Sequence, residues 1–148
     1  MSTFTQIYYH IIFPTYSRQT VLDEENHEKL FRYIWGILKK RSCKLYRINA
    51  RPDHVHVFLS LHPSISLANL IKEIKTASTK WIKAEAVFRN FEAWQKGYGA
   101  FTYSHLEKEK VIQYIKNQAD HHKTVSFREE LETLLRDYDV KYDPQYLE

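Results

Sequence analysis

Two segments of β-strand character lie three residues apart near the middle of the chain, and this spacing constrains the fold more than any other feature. Residues 43–50 and 54–60 are joined through the turn 51–53. A connection this short joins neighbouring antiparallel strands, because parallel strands need a long crossover between them. The sequence therefore predicts a β-hairpin. On one face of its first strand we expect Tyr46, Ile48 and Ala50.

The second strand of this hairpin carries two histidines. Side chains alternate along a strand, so His54 and His56 leave one face, while Val55, Val57 and Leu59 leave the other and can pack in a core. The two histidine Cα atoms lie roughly 6 to 7 Å apart, which allows both imidazoles to bind one divalent ion. The alternative, two polar side chains facing water on a half-exposed strand, stays open on spacing alone.

The segments before this hairpin extend the pattern. Residues 5–13 are rich in β-branched and aromatic side chains and predict a strand that ends at Pro14. Its His10 could join a metal site, but a structural or solvent-facing role is more common for a single histidine. Acidic residues at 23–25 and basic residues at 39–41 suit the two ends of a helix dipole, so the apolar side chains between them predict a core helix.

A longer helix follows the hairpin. Ser66 is a suitable N-cap, and an apolar stripe spans residues 67–82. Lysines populate the other side of this helix, among them Lys72, Lys75 and Lys83. A solvated face is the ordinary interpretation of such lysines, and contact with phosphates becomes attractive only where another feature points to nucleic acid.

The last third of the chain adds a fourth strand and two helices. Residues 100–103 predict the strand, and a capping box that begins at Ser104 starts a helix running to about residue 122. A second box, beginning at Ser126, starts a shorter helix before an extended tail at 139–148.

The order of these elements predicts the architecture. It is βαββαβ followed by further helices, which is the split-βαβ, ferredoxin-like arrangement: an α+β fold with a four-stranded antiparallel sheet and two helices on one face. A chain of 148 residues suits one domain. We divide it into a sheet core at about 5–105, a helix at about 105–122, and a C-terminal helix and tail at 126–148.

Composition narrows the class of protein. A formal net charge of +4 permits an anionic partner without requiring one. Cys43 is the single cysteine, which excludes a disulfide framework within the chain and a thiolate metal cluster. No apolar run approaches the length of a membrane span and the N-terminus lacks a signal-peptide pattern, so we expect a cytoplasmic protein with no membrane partner.

The penultimate helix offers a nucleophile. Tyr114, Gln118 and His121 fall at i, i+4 and i+7, one above the other. A metal held by two imidazoles and oxygen ligands can polarise a phosphoryl oxygen, and a nearby tyrosine can attack phosphorus to form a covalent intermediate. Gln118 could add its amide oxygen to His54 and His56, and this donor set suits Mg²⁺ or Mn²⁺, with the imidazoles favouring Mn²⁺. Taken singly, a helical tyrosine is usually a packing residue and a glutamine an ordinary surface residue.

The combination of these motifs is more specific than any one of them. Residues 54–56 (HVH), 94–101 (WQKGYGAF), 114–118 (YIKNQ) and 121–122 (HH) resemble, in this order, the single-tyrosine HUH transposases of small bacterial insertion sequences, the IS200-like transposase family. The resemblance runs from about residue 5 to the C-terminus. It implies a ferredoxin-like fold, a divalent ion, and a tyrosine that joins covalently to a DNA 5′ phosphate. The implied metal ligands and nucleophile are His54, His56, Gln118 and Tyr114.

The same resemblance implies a homodimer and a substrate of single-stranded DNA with hairpin ends. The tyrosine helix of one protomer can complete the metal site of the other, and assembly in cis or in trans stays open because Gly97 and Gly99 lie too early to give that helix an obvious hinge. With DNA as the partner, exposed basic residues become candidate contacts. They are Lys72, Lys75, Lys83, His121 and His122.

Two alternatives stay open. A domesticated relative of the same fold would use the same residues to process cellular DNA near repeated palindromes. A non-catalytic nucleic-acid-binding module would instead bind RNA by stacking bases on the aromatic residues of an open sheet face. On that face we expect the histidines.

Overall fold

Four strands form one antiparallel sheet in a computed structural model of the chain, which describes residues 1–121 and 125–146. The strand order is β2-β3-β1-β4, and every neighbouring pair is antiparallel. The predicted hairpin and the ferredoxin-like arrangement are therefore confirmed. The strands are β1 Tyr8–Pro14, β2 Lys44–Arg51, β3 His54–Ser60 and β4 Gly99–Thr102.

One face of the sheet, which we call the apolar face, packs against two amphipathic helices, α1 (His27–Lys40) and α2 (Leu67–Glu85). Ser66 caps α2 as predicted, and its hydroxyl oxygen accepts a hydrogen bond from the backbone N–H of Asn69 at 3.1 Å. Burial of apolar side chains between sheet and helices stabilises the domain. The buried side chains include Ile11, Phe13, Leu30, Ile34, Val55, Val57, Leu59, Leu70 and Ile74.

The opposite face of the sheet, which we call the histidine face, is covered by three C-terminal helices. These are α3 (Lys108–Lys116), α4 (Gln118–His121) and α5 (Phe127–Asp137). Their apolar side chains form two clusters with side chains of the sheet, so β3 is buried on both faces. The interpretation of two histidines facing water on a half-exposed strand is wrong, because these helices exclude solvent from them.

β2 departs from simple alternation near Tyr46. The pairing of β2 with β3 shifts register at this point, as at a β-bulge. Tyr46 consequently packs against Tyr8 and Phe58 on the histidine face, while Ile48 and Ala50 belong to the apolar core. The expectation that Tyr46, Ile48 and Ala50 share one face is wrong, because strict alternation fails across a bulge.

The helix predicted over about 105–122 is interrupted. Asn117, with φ −93° and ψ 18°, separates α3 from α4. The side-chain amide of Asn49 on β2 donates to the carbonyl oxygens of Ile115 at 2.9 Å and Lys116 at 3.3 Å. The last carbonyls of α3 therefore bond to the sheet, which fixes the end of the tyrosine-bearing helix against β2.

The serine caps predicted at Ser104 and Ser126 are present, whereas the tail differs from its prediction. Ser104 has the capping box, and Glu107 accepts a hydrogen bond from its backbone N–H at 3.2 Å. The Ser126 hydroxyl oxygen accepts from the backbone N–H of Glu129 at 3.2 Å and caps α5. The tail is not wholly extended, since Pro144–Tyr146 forms a 3₁₀ turn. Within the described ranges, none of the helices combines the length and apolar character needed to cross a membrane.

Candidate active site

Four polar side chains from three elements meet on the histidine face. His54 and His56 come from β3, Tyr114 from α3 and Glu130 from α5. Oε1 of Glu130 lies 3.0 Å from Nε2 of His56 and 3.5 Å from Nε2 of His54. Oε2 of the same carboxylate accepts a hydrogen bond from the Tyr114 hydroxyl. The fold thus brings together the paired histidines and the predicted nucleophile, and adds a carboxylate between them.

Both histidines are oriented through their other ring nitrogen. Oδ1 of Asp53 lies 2.6 Å from Nδ1 of His54, and this hydrogen bond requires a proton on Nδ1 because an ionised carboxylate only accepts. Nε2 of His10 lies 2.7 Å from Nδ1 of His56, with the two rings stacked at 5.0 Å between centroids. Both rings therefore direct Nε2 toward the same carboxylate oxygen, which is how metal-binding histidines are commonly held.

Burial and neighbouring charges shift the pKa values in this cluster. Burial, assisted by His56, lowers the pKa of His10 to about 3, so His10 is neutral at physiological pH. Burial also acts to lower the pKa of His54, but interactions with Asp53 and Glu130 outweigh it and the net pKa is raised. Burial and the Glu130 carboxylate raise the pKa of Tyr114, so its phenol keeps its proton at neutral pH.

Three of these groups fit a divalent cation. The ligand atoms of His54, His56 and Glu130 all lie within 4.8 Å of one another, and all three residues are buried. Neighbouring ligands of a cation with bonds of about 2.1 Å lie roughly 3.0 to 3.4 Å apart at angles of about 90 to 110°. The separations from Oε1 of Glu130 agree with that spacing. Two imidazoles and one carboxylate form a donor set that holds divalent transition metals and leaves other positions open.

Gln118 lies in the same cluster and is fully buried rather than on the surface. Its Nε2 donates to Oε2 of Glu130 at 2.9 Å, while its buried Oε1 has no hydrogen-bond partner in the part of the chain that the structure describes. Its role as a metal ligand stays a prediction. His121 belongs to α4, but its side chain and the whole of His122 lie outside the described residues.

A cavity of about 340 Å³ lies beside the candidate nucleophile. Tyr114 and Glu130 form part of its wall, together with Lys110 and the rings of Tyr103 and Tyr138. The volume is within the range of ligand pockets. Tyr114 is half-buried and is therefore partly accessible from this cavity.

The lysines predicted to contact DNA lie on α2, across the sheet from the histidines. Lys72 and Lys83 are exposed there. Lys75 is half-buried, and its ammonium donates to the carbonyl oxygens of Gln95 at 2.8 Å and Gly97 at 2.5 Å. Burial lowers the pKa of Lys75 to about 8. Lys75 therefore fastens the loop that precedes β4, and a DNA contact by any of the three lysines stays a prediction.

Glu130 is the residue that sequence reasoning missed. It is one of many acidic residues and belongs to no motif recognised in the sequence. The available signal was its position on the apolar side of α5, three residues after Phe127 and four before Leu134, both of which are buried. An acidic residue on the buried side of an amphipathic helix is uncommon unless it is paired or binds a cation.

The fold and the site together define a class of protein in which a helix-borne tyrosine lies beside paired histidines of a ferredoxin-like sheet. A model of the family described as "Transposase IS200 like" matches residues 3–118, which is most of the chain. The chain therefore belongs to the IS200-like transposase family.

Individual relatives agree with this family. The ISDra2 transposase TnpA of Deinococcus radiodurans is 25% identical over 120 residues, which cover 78% of this chain and 86% of the relative. The crystal structure of a transposase from Deinococcus radiodurans R1 has a TM-score of 0.61 at 25% identity, over 80% of this chain and 95% of that chain. A REP-associated tyrosine transposase bound to a REP hairpin has a TM-score of 0.58 at 16% identity, over 84% and 76%, and this likeness shows the fold alone.

Proposed function

We propose that the protein is a divalent-metal-dependent transposase that cleaves and rejoins single-stranded DNA through a covalent bond between Tyr114 and a DNA 5′ phosphate. Family membership supports DNA transposition as the activity. The observation that carries the mechanism is the convergence of the Tyr114 hydroxyl and the Nε2 atoms of His54 and His56 on one carboxylate, that of Glu130. A nucleophile and metal-binding nitrogens that share a neighbour can act on the same phosphate.

The chemistry is a pair of phosphoryl transfers. His54 and His56 would hold the cation, Mg²⁺ or Mn²⁺, with Gln118 as the further ligand that the family resemblance implies. When bound, a divalent cation draws charge from the phosphoryl oxygens. Oη of Tyr114 loses its proton and bonds to phosphorus while the bond from phosphorus to the 3′ oxygen breaks, and that oxygen leaves as a hydroxyl. The 3′ hydroxyl of another strand then attacks the phosphotyrosine, rejoins the DNA and releases Tyr114.

We further propose a homodimer, as the family resemblance implies, with each site assembled in cis. The ring of Tyr114 lies 6.0 Å from that of His56 of its own chain, between centroids. This proximity favours attack by Tyr114 on a phosphate held in the same protomer. The bond between Asn49 and the end of α3 also favours this arrangement, because it ties the tyrosine helix to its own sheet.

The DNA would occupy the cavity beside Tyr114 and extend onto the outer surface of α2. Tyr103 and Tyr138 in the cavity wall can stack on bases exposed in a single strand. Beside α2, Lys72 and Lys80 line a groove whose Arg41 is paired with Glu73, and the two lysines suit contacts with the phosphates of a hairpin stem. Lys83 is a further exposed candidate, whereas the bonds of Lys75 to the loop favour a structural role.

An RNA-binding module with an open sheet face has little support, because helices cover both faces of the sheet in the described part of the chain. A domesticated relative would use the same catalytic residues. Genomic surroundings separate it from a mobile element, since ends that flank the gene favour transposition.

The test of the nucleophile is Tyr114→Phe. Single-stranded oligonucleotides tiled across the sequences that flank the gene, incubated with MnCl₂, should form an SDS-resistant adduct with the wild-type protein. Tyr114→Phe should form none, because the attacking oxygen is gone, and should still bind the same oligonucleotides in a filter assay.

Tyr103→Phe is the matched control, since Tyr103 is a half-buried tyrosine in the same cavity. It should keep the adduct. An adduct that persists in Tyr114→Phe would reject Tyr114 as the nucleophile, and one that forms equally well in EDTA would reject the dependence on metal.

A further inference from the structure

We infer that Glu130 is itself a ligand of the cation held by His54 and His56, so that α5 supplies a carboxylate to the metal site of its own chain. The inference rests on the proposed function only for the existence of a metal site at the paired histidines. It adds a ligand from a helix beyond residues 3–118, the part of the chain that the family model matches.

The first argument is the division of labour between the two carboxylate oxygens. Oε2 of Glu130 accepts hydrogen bonds from the Tyr114 hydroxyl and from Nε2 of Gln118. Oε1 faces Nε2 of His56 and Nε2 of His54. Oε2 is therefore oriented by Tyr114 and Gln118, while Oε1 lies against the two ring nitrogens that bind metals in proteins and is within hydrogen-bond distance of Nε2 of His56.

The second argument is the direction of the ring protons. Asp53 requires a proton on Nδ1 of His54, so a neutral His54 presents a lone pair at Nε2. This nitrogen lies 3.5 Å from Oε1 of Glu130, a separation that one cation bound to both atoms would span. In metal sites a carboxylate behind the histidine commonly fixes the tautomer in this way.

The third argument is burial. Glu130 is 2% exposed, yet it lies on a surface helix whose neighbouring acidic residue, Glu129, is exposed. An ionised carboxylate withdrawn from water is costly unless positive charge or several donors compensate it. A divalent cation at the two histidines supplies that charge directly.

In this arrangement Glu130 takes the ligand position that the family resemblance gives to Gln118, and Gln118 instead has a positioning role. With its amide nitrogen bonded to Oε2, it holds the carboxylate so that Oε1 faces the histidines. Loss of Gln118 should therefore weaken metal binding less than loss of Glu130, because a residue behind a ligand contributes less than the ligand itself.

The experiment measures Mn²⁺ binding by the full chain without DNA, by electron paramagnetic resonance during titration with MnCl₂. The wild-type protein should bind one equivalent, and His56→Ala should lose that binding. Glu130→Gln should bind at least about 100-fold more weakly, which is the upper end of what loss of a residue behind a metal ligand costs. Glu129→Gln removes the same charge from the adjacent exposed residue and should bind like the wild type.

A second readout distinguishes a ligand from a packing residue. In EDTA, the melting temperature of Glu130→Gln gives the metal-free reference for this variant, because its altered hydrogen bonds to Tyr114, Gln118 and His56 act with or without a cation. On addition of MnCl₂, the melting temperature should rise for the wild type and Glu129→Gln and stay unchanged for Glu130→Gln.

Two outcomes would contradict the inference and are distinguishable. Tight Mn²⁺ binding by Glu130→Gln, alongside loss in His56→Ala, would overturn the role of Glu130 and leave the proposed function intact. The metal site itself would be overturned if the wild-type protein bound no Mn²⁺, or if wild type and His56→Ala bound Mn²⁺ with equal affinity.

Discussion

The two faces of β3 show how one strand serves two purposes. Val55, Val57 and Leu59 point into a core of apolar side chains under α1 and α2. His54 and His56, one position away in the chain, point into a polar cluster under α3 and α5. Both sets are equally withdrawn from solvent, with all five residues 0% exposed.

The difference lies in what burial accomplishes on each side. On the apolar face, burial contributes stability through the hydrophobic effect and close packing. On the histidine face, burial removes water from imidazoles, a phenol and a carboxylate, so that they interact strongly with one another and would do so with the proposed cation. Equal burial on the two faces therefore leads to opposite expectations for mutations.

The largest expected effect separates the two faces directly. Leu59→Ala should lower the free energy of unfolding by about 2–5 kcal/mol, because it leaves a cavity in the apolar core, while adduct formation per folded molecule stays unchanged. His56→Ala should abolish metal-dependent adduct formation in samples that are fully folded, because one metal-binding nitrogen is gone. Urea denaturation measures the first quantity and an SDS gel with labelled oligonucleotide the second.

Circular dichroism at the assay temperature is the control that both variants are folded. If folded Leu59→Ala lost the adduct, or if His56→Ala kept it with Mn²⁺, the assignment of stability to one face and chemistry to the other would fail.

A second, smaller effect is a dependence of stability on pH that arises on the histidine face. The folded-state pKa of His10 is about 3, below the ordinary value near 6.5, so the unfolded chain binds a proton that the folded chain does not. In EDTA, stability should therefore fall as the pH drops below about 6.5, by up to about 1.4 kcal/mol per pH unit from this residue. His10→Gln, which keeps a polar group near His56, should remove that contribution.

Comparing the pH profiles of wild type and His10→Gln isolates the contribution of His10, because His54 is present in both proteins. The contribution of His54 has the opposite sign. The raised pKa of His54 gives stability that is present below its unfolded-state pKa and lost as the pH rises through the folded-state pKa. His27→Gln is the control from the apolar face. Burial lowers the pKa of His27, and a hydrogen bond between its Nε2 and the carbonyl oxygen of Leu22 partly offsets that lowering. Identical pH profiles for wild type and His10→Gln would show that His10 takes up its proton without cost.

The smallest effect tests whether the α1–α2 side of the molecule also serves DNA. Lys72→Ala should weaken binding of a hairpin oligonucleotide a few-fold and reduce the slope of log affinity against log salt by about 1, because one phosphate contact is lost. Adduct formation at saturating DNA should not change. Fluorescence anisotropy at several salt concentrations measures the slope.

Lys29→Ala is the matched control, an exposed lysine on α1. Equal slopes for Lys72→Ala, Lys29→Ala and wild type would confine DNA binding to the histidine face and would sharpen the contrast between the two sides.

Much of the fold could be predicted from the sequence because its signals are local. Alternation placed His54 and His56 on one face, the short turn predicted the hairpin, and Ser66 and Ser126 marked helix starts through bonds to residues three positions away. Period and capping depend on neighbours in the chain, so they can be read without the fold.

Only the tertiary structure decided which distant groups meet. A bulge in β2 places Tyr46 on the histidine face. The side chain of Asn49 donates a hydrogen bond to the end of α3, next to the interruption of the predicted helix. Carbonyl oxygens of the loop before β4 bind the ammonium of Lys75. Above all, the packing of α5 across the sheet carried Glu130 to His56, 74 positions away in sequence. Such encounters depend on how whole helices pack on the sheet, and no period or spacing in the chain encodes that packing.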